Sequence, residues 1–274
     1  MIKLENYEVM GWEHAIRGMR NPMNSWEKSD SYFLDMEGEM FDICGNHAPF
    51  YGDDNGNGDQ IGKNDHELMM KLRNAGTDHR KFMRMITVYV DITAPLYWWK
   101  EFDTYKVGTV ANSCSTMHKI HEKEFTMEDF STEHLDAEHA NISTMDVKFT
   151  SLGVLHMTIK ALNYYREYYL SMKDQKVPGA DKEVKRLWWQ MIQLLPSSYN
   201  QKRTIMLNYE VLANIYKSRK NHKLDEWVDF CTWIEILPYS EIITGANLAD
   251  VPICNEIMNE AVKRVKEELL DETD

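Results

Sequence analysis

The stretch Ala94-Pro95-Leu96-Tyr97-Trp98-Trp99-Lys100-Glu101-Phe102-Asp103-Thr104-Tyr105-Lys106 gathers two tryptophans, a Lys–Glu pair and a Tyr–Lys pair into one short segment. It continues through Val107-Gly108-Thr109 to Asn112-Ser113-Cys114-Ser115, a run of amide, hydroxyl and thiol groups. Aromatic planes next to cations suit a flat heterocycle that carries a phosphate, through stacking and charge-assisted hydrogen bonds. The plainer reading makes Trp98 and Trp99 core and rim residues and Lys100–Glu101 a surface pair. The hydroxyls and backbone N–H groups of Ser113, Cys114, Ser115 and Thr116, with His118 close behind, suit a phosphate nest. The alternative there is a polar loop around a buried cysteine.

Three other clusters carry possible chemistry. Gly76-Thr77-Asp78-His79-Arg80-Lys81-Phe82-Met83-Arg84 sets a histidine and three cations before a strand, either to face a phosphate or flavin or as a solvated turn. Arg219 is followed by Lys220, Asn221, His222 and Lys223, and cations at a helix C-terminus offset its dipole without any ligand. Asp53-Asp54-Asn55-Gly56-Asn57-Gly58-Asp59 begins like a calcium loop, but Asn64 stands where the bidentate Glu belongs. His118 and His121 could bind a metal, with no third ligand at useful spacing. No GxGxxG, Walker loop, GxSxG or HExxH occurs, so no metal site and none of the commonest cofactor fingerprints is expected.

These groups need a scaffold, and the chain can build one. With 274 residues, 43% hydrophobic and 11% aromatic, it is long and apolar enough for a core. A net charge of -13 argues against nucleic acid, yet a single phosphate needs only a few local cations. Four scattered cysteines, Cys44, Cys114, Cys231 and Cys254, with no CxxC pair, read as reduced cytoplasmic thiols. The first residues show no apolar signal-peptide region, and no apolar run is long enough to span a membrane.

Periodicity predicts a strand over 1–10 and a helix over 11–20 that stops at Asn21-Pro22. Residues 22–64 read as a long loop with one short strand near Phe41–Cys44. Asp65 is the expected N-cap of a helix over 66–74 that Gly76 closes. Ile86, Val88, Val90 and Ile92 alternate as a strand, and Pro95 opens a helix bearing Trp98, Trp99 and Phe102. Residues 104–112 read as extended or irregular, and 124–147 as polar. Leu152, Leu155, Ile159, Leu162 and Tyr169 fit a long amphipathic helix. Helices over 181–195, 209–219, 224–236 and 254–270 follow, with a strand over 202–207 and an acidic tail at 267–274. One α+β domain over 1–274 is the simplest description.

In this order the motifs resemble those of the flavin-dependent thymidylate synthases. His79, Phe82 and Arg84 fall on that family's His-x-Ser-Pro-Phe-Glu-His stretch, strand 86–92 and Pro95 follow, and Lys100-Glu101 match an Arg-Gln pair. Thr104, Tyr105 and Lys106 fall on an Arg-His-Arg triplet, Cys114 on a Ser, Asn208 on a helix-opening Asn, Arg219 on a nucleotide-binding Arg, and Glu226 on a Glu. The match covers residues 65–120 and 200–230; the first 60 match poorly, and only Lys106 of the triplet keeps a positive charge.

The resemblance implies that family's α+β fold, helix-rich with a central, mostly antiparallel sheet. It implies FAD as cofactor, NADPH and methylene-tetrahydrofolate as co-substrates, dUMP as substrate and dTMP as product, in a cytoplasmic homotetramer. The implied roles are catalytic for Cys114, Ser115 and Arg84, and cofactor-binding for His79, Tyr105, Lys106, Thr109 and Asn208. Lys100, Glu101, Asn112, Ser113 and Arg219 would bind the substrate. Two alternatives stand beside this. One is a divergent pyrimidine-nucleotide-modifying enzyme, for instance a hydroxymethylase, with Cys114 attacking uracil C6. The other is a non-catalytic nucleotide- or flavin-binding or assembly protein that keeps the fold.

Overall fold

In the computed structural model the described residues are 2–34, 39–47, 60–144, 147–173, 175 and 179–246. The calcium-like run at 53–59, Cys254, the helix expected over 254–270 and the acidic tail lie outside them.

Strand β1 (Lys3–Met10) leads into helix α1 (Trp12–Arg20), which ends in a 3-10 turn over Asn21–Met23. Short pieces β2 (Phe33–Leu34) and β3 (Met40–Phe41) pair in the next segment, while Ile43 and Cys44 turn rather than extend. Helix α2 (Lys63–Asn74) precedes β4 (Thr87–Pro95), α3 (Leu96–Phe102) and β5 (Val110–Ser113). A hairpin of β6 (Ile142–Thr144) and β7 (Val147–Phe149) comes before the long helices α4 (Ser151–Lys173) and α5 (Ala180–Leu194). Strand β8 (Asn200–Asn208) then runs without a loop into α6 (Tyr209–Arg219), followed by α7 (Asp225–Glu235) and α8 (Glu241–Thr244).

The main sheet has the order β1-β4-β8-β5, and every neighbouring pair is antiparallel. Alternation makes it one-sided. Val88, Val90, Ile92 and Ala94 of β4 and Ile205 and Leu207 of β8 are fully buried. They face a core built from Ile16, Trp98, Trp99, Trp227 and Phe230. On the other face Asp91 accepts from Thr204 Oγ1 at 2.6 Å and Asn6 Nδ2 at 3.1 Å, with Lys202 Nζ 3.1 Å away. One apolar and one polar face is the usual economy of an antiparallel sheet. A second apolar cluster joins α4 to α5 through Leu155, Ile159, Leu162, Leu187 and Met191, with Phe125 and Phe130.

Three segments gain definition, and one expectation among them, the Asp65 cap, needs correction. Of the two readings for 104–112, extended or irregular, residues 110–113 take the extended one as an edge strand on β8, because Val110–Ser113 pair with Met206–Arg203. The stretch 124–147 holds a 3-10 turn over Met127–Asp129 and part of the β6–β7 hairpin. Asp65 does not cap α2: Gly62 is the cap residue, and the Asp30 carboxylate accepts from the N–H groups of Asn64 (2.9 Å) and Asp65 (3.1 Å). Asp65 instead turns inward. It is fully buried and accepts from Arg20 Nε at 2.6 Å, Ser29 Oγ at 2.6 Å, Ser31 Oγ at 2.7 Å and the Asp30 N–H at 3.1 Å. Among the described residues no helix is long and apolar enough to cross a membrane.

Candidate functional site

Pro95 is extended at the end of β4, and α3 starts on the next residue. The turn is pinned by the Leu96 and Tyr97 N–H groups, which donate to the carbonyls of Tyr199 and Ser197, each at 3.0 Å. This aims Trp98, Trp99 and Phe102 into the core, where all three are buried. Trp98 lies 4.7 Å from the Trp227 ring and 5.0 Å from Phe102. Trp99 Nε1 donates to the Gln201 carbonyl at 2.9 Å, and the Arg203 guanidinium already covers its ring at 4.1 Å. The two tryptophans are therefore core, not a platform for a ligand heterocycle. Lys100 is exposed, while Glu101 is half-buried and pairs with Arg219.

Glu101 belongs to a cluster at the C-terminal end of α6. Arg219 Nη1 donates to Glu101 Oε2 at 2.8 Å and Arg219 Nε to Tyr105 OH at 3.0 Å. Trp227 Nε1, brought by α7, donates to the same Glu101 oxygen at 2.9 Å, and the guanidinium lies 4.8 Å above the Trp227 ring. His222 Nε2 stands 3.0 Å from Arg219 Nη1 and 3.6 Å from Glu101 Oε2. Arg219 is thus held on several sides, not merely set against a helix dipole.

At the other end of α6, about 15 Å away for a helix of this length, lies a second cluster. Asn208 caps the helix by accepting the Val211 N–H at 3.1 Å. Glu210 accepts from Arg80 Nε at 3.2 Å and from Arg84 Nε, and Arg80 Nη2 reaches Asn214 at 3.1 Å. Burial pushes the Glu210 carboxyl up, but the Arg84 and Arg80 bonds outweigh it and hold its pKa below the ordinary value. His79 is exposed beside them. The segment 103–109 joins the two ends: Tyr105 meets Arg219, while Gly108 rests on Asn208. Gly108 has φ +78°, and a Cβ there would lie 2.7 Å from Asn208 Nδ2. Next to it, Thr109 Oγ1 is buried with no hydrogen-bond partner, and the Lys106 side chain is exposed.

Asn112, Ser113, Cys114 and Ser115 line the exposed edge of β5 and its end. Cys114 is fixed by its backbone, donating N–H to Lys202 O at 2.9 Å and accepting from Gln201 Nε2 at 2.8 Å, and it is an exposed free cysteine. The nest expected here has lost two donors, since the Cys114 N–H is used by Lys202 and the His118 N–H by Ser115 Oγ at 2.9 Å. Among the described residues no hydrogen bond joins this turn to Arg219. His121 is buried against Tyr169, with Lys173 Nζ 3.4 Å from its Nε2, and burial then Lys173 lower its pKa. Among the described residues no group of three His, Cys, Asp or Glu could hold a metal.

Glu210, His222 and Trp227 were not legible as site residues. Glu210 sits in the first turn of a helix, where an acid is expected from the dipole alone. Trp227 follows the pattern of a core helix. His222 stands in the basic run after Arg219, which the dipole explains. Glu226 does not join the Arg219 cluster: it accepts from Tyr97 OH beside an acidic cavity of about 270 Å³ that Glu133, His134, Asp225 and Asp229 also line.

No protein-family model matches the chain, and no curated protein sequence does. Solved structures do match. The flavin-dependent thymidylate synthase ThyX from Helicobacter pylori, crystallised with FAD and dUMP, is 17% identical with a TM-score of 0.51, covering 88% of this chain and 95% of that one. A second ThyX structure from the same organism, also with FAD and dUMP, is 16% identical with a TM-score of 0.50, over 88% and 94%. The UMP/dUMP methylase PolB from Streptomyces cacaoi, bound to 5-Br dUMP, is 12% identical with a TM-score of 0.50, over 89% and 95%. The chain therefore has the flavin-dependent thymidylate synthase-like fold, helix-rich around a central antiparallel sheet.

Proposed function

We propose that this protein modifies the uracil ring of a pyrimidine nucleotide, by reductive methylation of dUMP to dTMP with methylene-tetrahydrofolate, NADPH and FAD. The observation that carries this is the strip along α6. It sets Arg84, Thr109, Asn208, Lys106, Tyr105, Glu101 and Arg219 along one helix, on a fold whose solved neighbours hold FAD and dUMP. The residues present fit an anionic cofactor: Thr109 Oγ1 is buried without a partner, and Lys106 and His79 are exposed and unpaired among the described residues. FAD, when bound, supplies hydride transfer.

The chain's own residues do the positioning. His79, Tyr105, Lys106, Thr109 and Asn208 hold the cofactor, with Lys106 as the point charge toward its phosphates. Lys100, Asn112, Ser113 and Arg219 orient the nucleotide, and Glu101 acts at the same substrate site through Arg219, which it holds. Cys114 and Ser115 act nearest the reacting ring, and Arg84, toward the other end of β8, stands near the flavin or folate. The exposure of Cys114 also supports a covalent variant, in which its thiolate adds to uracil C6, as in a hydroxymethylation. Unchanged turnover in Cys114→Ala would remove that variant. A cytoplasmic homotetramer belongs to the same proposal, and exposed Val154, Met157, Tyr164 and Tyr168 on α4 support an assembly face.

The test is the visible spectrum of the purified protein with FAD and then dUMP added. A flavin band that shifts on dUMP addition is expected. If the protein takes up no flavin under any condition, the flavoenzyme reading fails and the non-catalytic relative takes its place.

A further inference from the structure

Arg219 has the setting of an anion-binding arginine. Its guanidinium is stacked on Trp227 at 4.8 Å, and its Nε is oriented by Tyr105 at 3.0 Å. A planar fork fixed in this way matches a carboxylate or a phosphate. One prong of that fork, Nη1, is already engaged: Glu101 supplies the carboxylate at 2.8 Å, and Trp227 Nε1 secures the same oxygen at 2.9 Å. The pair is not sealed in the core, because the Glu101 side chain is 36% exposed and that of Arg219 19%. Arg219 also ends α6, where the helix dipole is negative and repels an incoming anion.

We propose that Glu101 is the specificity-determining residue of the pyrimidine site, an internal counter-ion that a substrate phosphate must displace from Arg219. This rests on the pyrimidine-nucleotide reading above. An uncharged nucleoside has no group that competes with Glu101, so Glu101 acts against the nucleotide alone. It sets how strongly the site prefers a phosphate monoester over the bare nucleoside. Glu101→Gln keeps the side-chain shape and an oxygen that accepts from Trp227 and Arg219, but removes the competing charge.

The experiment is isothermal titration of the full chain, with FAD present, by dUMP and by deoxyuridine, for wild type, Glu101→Gln and Glu101→Asp. Thermal melting checks that each variant is folded. Glu101→Gln is expected to tighten dUMP at least tenfold and to leave deoxyuridine within twofold. Glu101→Asp, whose carboxylate is drawn back by one methylene, is expected to tighten dUMP in the same direction by less, and it carries the test should Glu101→Gln not fold. A dUMP affinity that is unchanged or weaker in the variants overturns the proposal and leaves the pyrimidine reading standing. An equal gain for both ligands also overturns it, since Glu101 would then act on pocket shape. If neither ligand binds any of the three proteins, the pyrimidine reading itself has failed and this inference goes with it.

Discussion

Replacing Asp65 by Asn tests the clamp that sets the helices around the candidate site. Asp65 has no exposed surface and Arg20 only 3%. Among the described residues the Arg20 guanidinium is otherwise bound only by neutral oxygens, the carbonyls of Ser25 at 3.1 Å and Lys28 at 3.0 Å and the Ser25 hydroxyl at 3.5 Å. Asn would leave that guanidinium charged and buried, and would also turn an amide NH2 toward the donors Ser29, Ser31 and the Asp30 N–H. Breaking a buried pair from one side costs about 3–5 kcal/mol, out of a total stability of about 5–15 kcal/mol. At about 2–4 °C per kcal/mol for a chain of this size, the midpoint should fall by about 6–20 °C. Differential scanning calorimetry of wild type and Asp65→Asn at neutral pH measures it. The double change Arg20→Met with Asp65→Leu should recover part of the loss, because no uncompensated charge remains while Ser29, Ser31 and the Asp30 N–H still lose their acceptor. A loss below about 1 kcal/mol for the single change would refute the reasoning, since a charge deprived of its partner must cost more than that.

Two further outcomes follow from single groups. Gly108→Ala puts a side chain at φ +78° and 2.7 Å from Asn208 Nδ2, so it should cost about 1–3 kcal/mol in urea unfolding; no loss would mean that the 103–109 segment does not rest on the start of α6. Asp91 has its carboxyl lowered from 3.8 to about 2 by the Thr204 hydroxyl, Asn6 and Lys202. A lowered folded-state pKa gives stability that is present above the unfolded value and lost as pH falls through the folded one. Asp91→Asn should therefore be less stable than wild type at neutral pH, with the gap closing between pH 3.8 and about 2; a gap that persists at the acid end would contradict the assignment.

The scaffold was legible wherever burial imposed a period. Val88, Val90 and Ile92 alternate because β4 has one buried face, and α4 shows its apolar positions because they pack on α5. What failed was local chemistry with two possible readings. Asp65 stands where a helix cap is expected, and only the fold shows that Asp30 caps the helix while Asp65 faces Arg20. Residues 110–113 have no buried face to impose alternation, so their pattern leaves extended and irregular chain equally open. Trp98 and Trp99 beside Lys100 read equally as a stacking platform or as core, and packing against Trp227 and Phe230 decided it.

Pairing of the cations was not legible at all, and it bears most on function. Arg219 lies 118 residues from Glu101, Arg84 lies 126 from Glu210, and Arg203 lies 100 from Asp103. No spacing rule reaches that far. A chain of net charge -13 has more carboxylates than cations, and here it places one against each of these three arginines. Lys100 and Lys106 are the cations of the motif segment that keep no such partner among the described residues. The motif segment and the elements beside it thus present two exposed lysines and three arginines already matched by internal carboxylates. On the reading proposed above, a phosphate that reaches Arg219 exchanges with the Glu101 carboxylate, so affinity at that arginine depends on the difference between phosphate and carboxylate, and not on the number of arginines present.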